Sequence, residues 1–171
     1  AQGNEYKLQR RQFSVDNTAA SVSARLAPAL IGMGLLDNIS DADILANSAP
    51  DDNNRDGISG RANIRSSTQD GTMRIGRFGW KASQSSLHEQ IALAFHQDMG
   101  ISSSLHSPQN CADDNCQVYS TANTDLEISE KLLNAVTNDI ANLAVPAASH
   151  DAQSQQGFKI FEQLACAACH T

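Results

Sequence analysis

Aromatic residues are scarce in this chain: one Trp, two Tyr and five Phe in 171 residues. With hydrophobic residues at 40%, the composition is lean for a globular domain yet above that of a disordered one, so a small core with long connections is expected. Positive charge is also in short supply. Lys and Arg number 12 against 19 Asp and Glu, and the net charge of −7 repels phosphate backbones and anionic lipid surfaces. Nucleic acid and electrostatic membrane binding are thereby disfavoured. Long apolar runs are absent as well. The longest, Leu26–Met33 and Leu143–Ala148, are too short to cross a bilayer, which argues against membrane insertion. A basic and apolar secretion leader is missing from Ala1-Gln2-Gly3-Asn4-Glu5. At the other end a site-forming motif, Cys166-Ala167-Ala168-Cys169-His170, stands one residue from the terminus. The expectation is a piece of a longer protein, about one domain in size.

What is present is mostly helical signal between polar loops. Ser40 with Asp43 three residues on is a capping-box pattern, and it predicts a short helix that is over by Pro50. Ser86-x-x-Glu89 opens a second pattern with Leu87, Ile91, Ala94 and Phe95 on one face and Gly100 at its end, predicting a helix over 87–99. A third starts near Thr124-x-x-Glu127, places Leu132, Val136, Ile140 and Leu143 on one stripe, and stops before Pro146. A fourth runs from about Asp151, with Phe158, Phe161 and Leu164 on one face, into the terminal cysteines. Strand signals are confined to Tyr6–Leu8 and Asn63–Arg65. The fold class is mainly α with long irregular connections.

Four cysteines form two unlike pairs. Cys166-x-x-Cys169-His170 has the spacing of covalent c-type haem attachment: two thiols add to the vinyl groups, and the adjacent imidazole binds the iron as proximal ligand. A thioredoxin-like dithiol would follow a strand rather than a helix, and a zinc site would need a second Cys/His pair, so both readings fit less well. Gly157 and Phe161, four apart on the preceding helix, leave a small and a large residue where another helix could cross. His88, His96 and Met99 are candidate haem neighbours, with His96 and Met99 three apart on one face, although Met is commonly core filling and His commonly a surface residue. Cys111 and Cys116 bracket Ala-Asp-Asp-Asn in a polar loop and read as a small-loop disulfide. Thioether haem attachment and a persistent disulfide belong to the same compartment, so the location expected is periplasmic or extracellular.

Asp52-x-Asn54-x-Asp56-Gly57-Ile58 repeats the oxygen spacing of a calcium loop, with Asn63 where the bidentate Glu would stand. A plain Asx-rich turn explains the same residues. Gly76-Arg77-Phe78-Gly79-Trp80-Lys81-Ala82 holds the single tryptophan. Arg77 or Lys81 could pair with haem propionates and Trp80 could pack on the macrocycle edge; the competing reading is a tight loop pinned by a buried aromatic anchor.

With those residues in view, the chain resembles the bacterial di-haem oxidoreductases, relatives of the di-haem cytochrome c peroxidases that are also labelled thiol oxidoreductases. The resemblance is carried by Arg25-Leu-Ala-Pro-Ala-Leu-Ile-Gly-Met-Gly-Leu-Leu36, by Asp51-Asp-Asn-Asn-Arg-Asp-Gly-Ile-Ser-Gly-Arg61, by 76–82, by Asp98-Met-Gly-Ile101 and by Leu143-Ala-Val-Pro146. Members carry two haem-attachment motifs, one before and one after this stretch, and only the later one is present. The resemblance therefore implies a loop-rich inter-haem region over 1–146, bearing the calcium loop. Over 147–171 it implies the start of a cytochrome c-like helical haem domain, truncated after the motif. It also implies haem c as cofactor, and as partners a redox protein or the missing haem domains. Electron transfer without catalysis, and dithiol–disulfide exchange at Cys166 and Cys169, are the alternatives.

Overall fold

The computed structural model of the protein describes residues 27–53, 55–108 and 126–169. Among them are five α-helices and one two-stranded hairpin: α1 (Met33–Asp37), α2 (Asp41–Ala46), β1 (Ile64–Ser66), β2 (Met73–Ile75), α3 (Leu87–Met99), α4 (Glu130–Ala141) and α5 (Ala152–Gln163), the last followed by a 3-10 turn at Cys166–Ala168. The mainly α class holds. None of the described helices is long and apolar enough to cross a membrane.

Local chemistry sets most helix ends. Ser40 Oγ accepts the Asp43 amide hydrogen at 3.1 Å and donates to its carboxylate at 2.7 Å, starting α2 as the capping box predicts. Ser86 Oγ accepts from Glu89 N at 3.2 Å to open α3. Gly100, at φ 73°, closes it, with its own N–H and that of Ile101 returning to the carbonyls of His96 and Phe95. The third helix departs from expectation. It begins at Glu130, because Ser129 rather than Thr124 is the cap, and Glu127 turns its carboxylate back to Ser102. It ends at Ala141, before Pro146 as expected, with Leu143 just past its cap. Asp151 caps α5 through the Ser154 amide at 2.8 Å. β1 and β2 pair antiparallel, Ile64 facing Ile75 and Ser66 facing Met73, one residue beyond the strand expected at 63–65. The strand expected at Tyr6–Leu8 lies outside the described residues.

The core is small, as the lean composition requires. Phe78, Leu87, Ile91, Ala92, Ile128 and Leu133 are buried together, and Met33, Leu36, Phe95, Val136 and Ile140 pack around them. Thus α1, α3 and α4 pack against one another, and α1 crosses the end of α4. The crossing depends on Gly34: a Cβ there would stand 2.0 Å from the Ala141 carbonyl oxygen. Backbone cannot yield as a flexible side chain can, so Gly34→Val is expected to cost about 2–3 kcal/mol, read as a lower urea midpoint. By contrast, α5 makes its main element contact with the 3-10 turn that follows it.

Candidate functional site

Two features collect the residues with chemistry to offer. The first is the end of α5. The helix stops at Gln163, Ala165 takes a left-handed conformation at φ 54°, and a tight turn follows in which Cys169 N donates to the Cys166 carbonyl at 3.2 Å. Side chains three apart eclipse in such a turn, so residues 166 and 169 fall on one side of it. Cys166 is half-buried, Cys169 is exposed, and both are free thiols. The adjoining helix leaves large apolar side chains uncovered: Phe158 is 62% exposed and Leu164 70%. No atom lies within 4 Å of where a Gly157 Cβ would sit, so the small-plus-large face of Gly157 and Phe161 is open at the glycine. Two thiols on one turn beside bare apolar surface is a donor set that suits an apolar macrocycle attached by thioethers. His170 lies outside the described residues.

The second feature is a groove of about 320 Å³ between α1, α3, α4 and the segment just after β2. Its wall is apolar, from Leu30, Met33, Phe78, Ile91, Phe95 and Val136. Gln90 and Asp98 interrupt that wall. The Gln90 Oε1 atom is buried and accepts no hydrogen bond. Mostly apolar concavities of this size with a few polar groups are what small-molecule and cofactor sites look like. The sequence alone gives Gln90 no role and Asp98 none beyond the family resemblance, although a signal for both is available. Leu87, Gln90, Ile91, Ala94, Phe95 and Asp98 form one helical stripe, and two polar residues on an apolar stripe are out of place.

Glu89, next to Gln90, holds α3 to the β-hairpin. Its carboxylate is 2% exposed. It accepts from Ser67 Oγ at 2.6 Å, Thr68 N at 2.7 Å, Ser85 N at 3.0 Å and Ser85 Oγ at 2.5 Å. Burial pushes its pKa up, but the hydrogen bonds from Ser67, Ser85 and Thr68 outweigh burial and hold it at about 2. Glu89 therefore stays ionised across the physiological range. The capping box alone predicts only a local role for it.

The other sequence candidates separate. Met99 lines the groove. His96 stacks on His106, with ring centroids 5.2 Å apart. His88 meets Thr137 Oγ1 at 3.2 Å and the Glu130 carboxylate at 3.4 Å. Arg77 is engaged inside the fold, donating to the Ile39 carbonyl at 2.9 Å and to Asp41 Oδ1 at 2.5 Å. The aromatic anchor of 76–82 is not Trp80, which is 67% exposed, but Phe78, at 2%. The reason is the turn: Phe78 pairs with Gln84 beneath it, and Trp80 rides on the outer bend.

In the acidic loop Asp52 accepts the Gly57 amide hydrogen with both oxygens, at 3.3 and 3.2 Å, and Asp56 Oδ1 accepts from Ile58 N at 2.8 Å. Asx turns thus shape it. Asn63 donates its side-chain amide to the carbonyls of Lys81 and Ala82, at 2.7 and 3.0 Å, tying β1 to the 79–82 turn. Asn54, Cys111 and Cys116 lie outside the described residues. Among the described residues no three His, Cys, Asp or Glu side chains converge as a metal cluster would.

Comparison with known proteins gives one match. The family model described as "Di-haem oxidoreductase, putative peroxidase" matches residues 8–171. No curated protein and no solved structure matches.

Proposed function

The chain belongs to the di-haem oxidoreductase family, and on that premise we propose that it is the inter-haem segment of a periplasmic enzyme, bearing one haem c on Cys166 and Cys169. The observation that carries this reading is the pair of free thiols on one tight turn beside the uncovered apolar face of α5. His170 completes the motif as proximal ligand. Thioether attachment takes place outside the bacterial cytoplasm, which supports the periplasmic location. The groove beside α3 is the apolar seat offered to the second haem of the parent protein. Bound haem supplies one-electron transfer and, at an open coordination position, activation of peroxide.

The chain's own residues do the rest. Leu30, Phe78, Ile91 and Phe95 give the groove an apolar wall, and a ligand seated there would strengthen any polar contact beneath it by displacing water. Gln90 Oε1 is positioned to accept a hydrogen bond from whatever donor enters. Asp98 is an exposed carboxylate at the same wall. Missing haem domains of the parent, or a separate redox protein, are the partners of this segment.

The test is made on the chain expressed with the periplasmic haem-attachment machinery. Its Soret band should shift on reduction by dithionite and return on addition of hydrogen peroxide. A reduced band indifferent to peroxide would remove the peroxidase part of the reading and leave electron delivery, a second reading that the net charge of −7 favours because it attracts a basic partner. In the parent protein, whose second haem would sit in this groove, Gln90→Leu separates function from fold. Removing a buried acceptor that lacks a donor should leave stability unchanged or raise it by about 1 kcal/mol, while the rate of peroxide-driven reoxidation falls about tenfold or more. Urea melts and stopped-flow absorbance measure the two.

A further inference from the structure

The residues that follow α3, 101–108, are fastened to the fold by polar contacts and by one ring pair. In residues 101–108 the Ser103 and His106 backbones exchange hydrogen bonds, at 3.0 and 3.2 Å, and close a tight turn. Ser102 and Ser103 are buried. Ser102 N donates to Glu127 at 2.9 Å, its carbonyl accepts from Ile128 N at 3.1 Å, and Ser104 Oγ donates to Glu130. Those contacts tie the loop to the entry of α4. On the α3 side the loop lays the His106 ring over the His96 ring, with centroids 5.2 Å apart and planes 16° from parallel. The His106 Nε2 atom is buried and makes no hydrogen bond.

Two neutral imidazoles stack without penalty, whereas two imidazolium ions at that distance repel, and a proton placed on the buried Nε2 would have no acceptor. We infer that the His96–His106 stack is an acid-sensitive latch: it holds the 101–108 loop on α3 and the start of α4 at neutral pH and releases it on mild acidification. The groups acting on the His106 ring are His96 and Glu89 of α3. Glu127 and Glu130, from the segment entering α4, are bound to the loop's own serines, and Glu130 also to His88. Burial, and then the neighbouring His96, push the His106 pKa below 6.5, against a smaller opposing pull from Glu89. The sign follows. Between the folded pKa and 6.5 the open state binds more protons, so the contribution of the stack is complete above 6.5 and is lost as pH falls below it. Release would free the last turn of α3, which carries Asp98 and Met99 of the groove wall.

The test is amide hydrogen exchange on the full chain, corrected for the intrinsic pH dependence, together with an imidazole titration by NMR. Between about pH 7.5 and about pH 5.5, protection of the Ser102, Ser103, His106 and Ile128 amides should fall about tenfold. The amides of Ile91 and Ala92 in the middle of α3 should be unaffected. His106→Phe keeps a ring in the stack and cannot take a proton, so its loop should stay protected at the lower pH. Protection that ignores pH in the unmodified chain, or an acid loss that persists in His106→Phe, would overturn the inference. Should that variant fail to fold, the unmodified chain decides the matter alone: a His106 pKa at or above 6.5 would also overturn it.

Discussion

Glu89→Ala is expected to destabilise the fold by about 3–5 kcal/mol, a large part of what a domain of this size has to lose. The carboxylate is the one acceptor shared by Ser67, Thr68 and Ser85, and the alanine would leave hydroxyl and amide donors buried with nothing to accept from them. Those residues come from the turn between the hairpin strands and from the entry to α3, so the loss would reach the hairpin and the helix together. Glu89→Gln keeps the shape, but its amide hydrogens face donors, and about half the effect should remain. Acid unfolding provides an independent reading. The folded carboxyl sits at about 2 against an ordinary 4.5, so its contribution is fully present above 4.5 and disappears as pH falls toward 2. In Glu89→Gln that limb of the stability profile should flatten. Urea midpoints measured from neutral pH downward test both statements.

The second large effect concerns the cysteines. The double replacement Cys166→Ser with Cys169→Ser should abolish covalent haem entirely, while each single replacement keeps one thioether and a reduced yield. The fold should not suffer. Cys169 is exposed and Cys166 half-buried, and their turn packs on α5 rather than on the core around Phe78 and Leu133. A haem stain on a denaturing gel separates the variants, and circular dichroism checks that the helices persist.

Helix ends were legible where the signal was local. Ser86 and Gly100 delimit α3 because a hydroxyl cap and a left-handed glycine act within a turn of themselves. The start of α4 was hidden because Thr124-x-x-Glu127 imitates a capping box, while Glu127 is engaged by Ser102, far back in the chain. α1 escaped notice since five residues show no period. Residue type points to Trp80 as the buried anchor, but the turn geometry buries Phe78 instead. At the site, the cysteine spacing was readable because attachment geometry is local. Glu89 was not, since its partners at 67–68 and 85 meet only in the fold, and Gln90 was legible only as a flaw in an apolar stripe.

The central claim is that Cys166 and Cys169 carry a haem covalently, and the intact mass of the chain under denaturing conditions, after expression with the attachment machinery, tests it most directly. The account predicts a mass increased by one haem, with a Soret band that survives acid–acetone extraction. An unmodified mass with two titratable thiols would contradict it, and would leave a haem-free scaffold or a dithiol protein in its place.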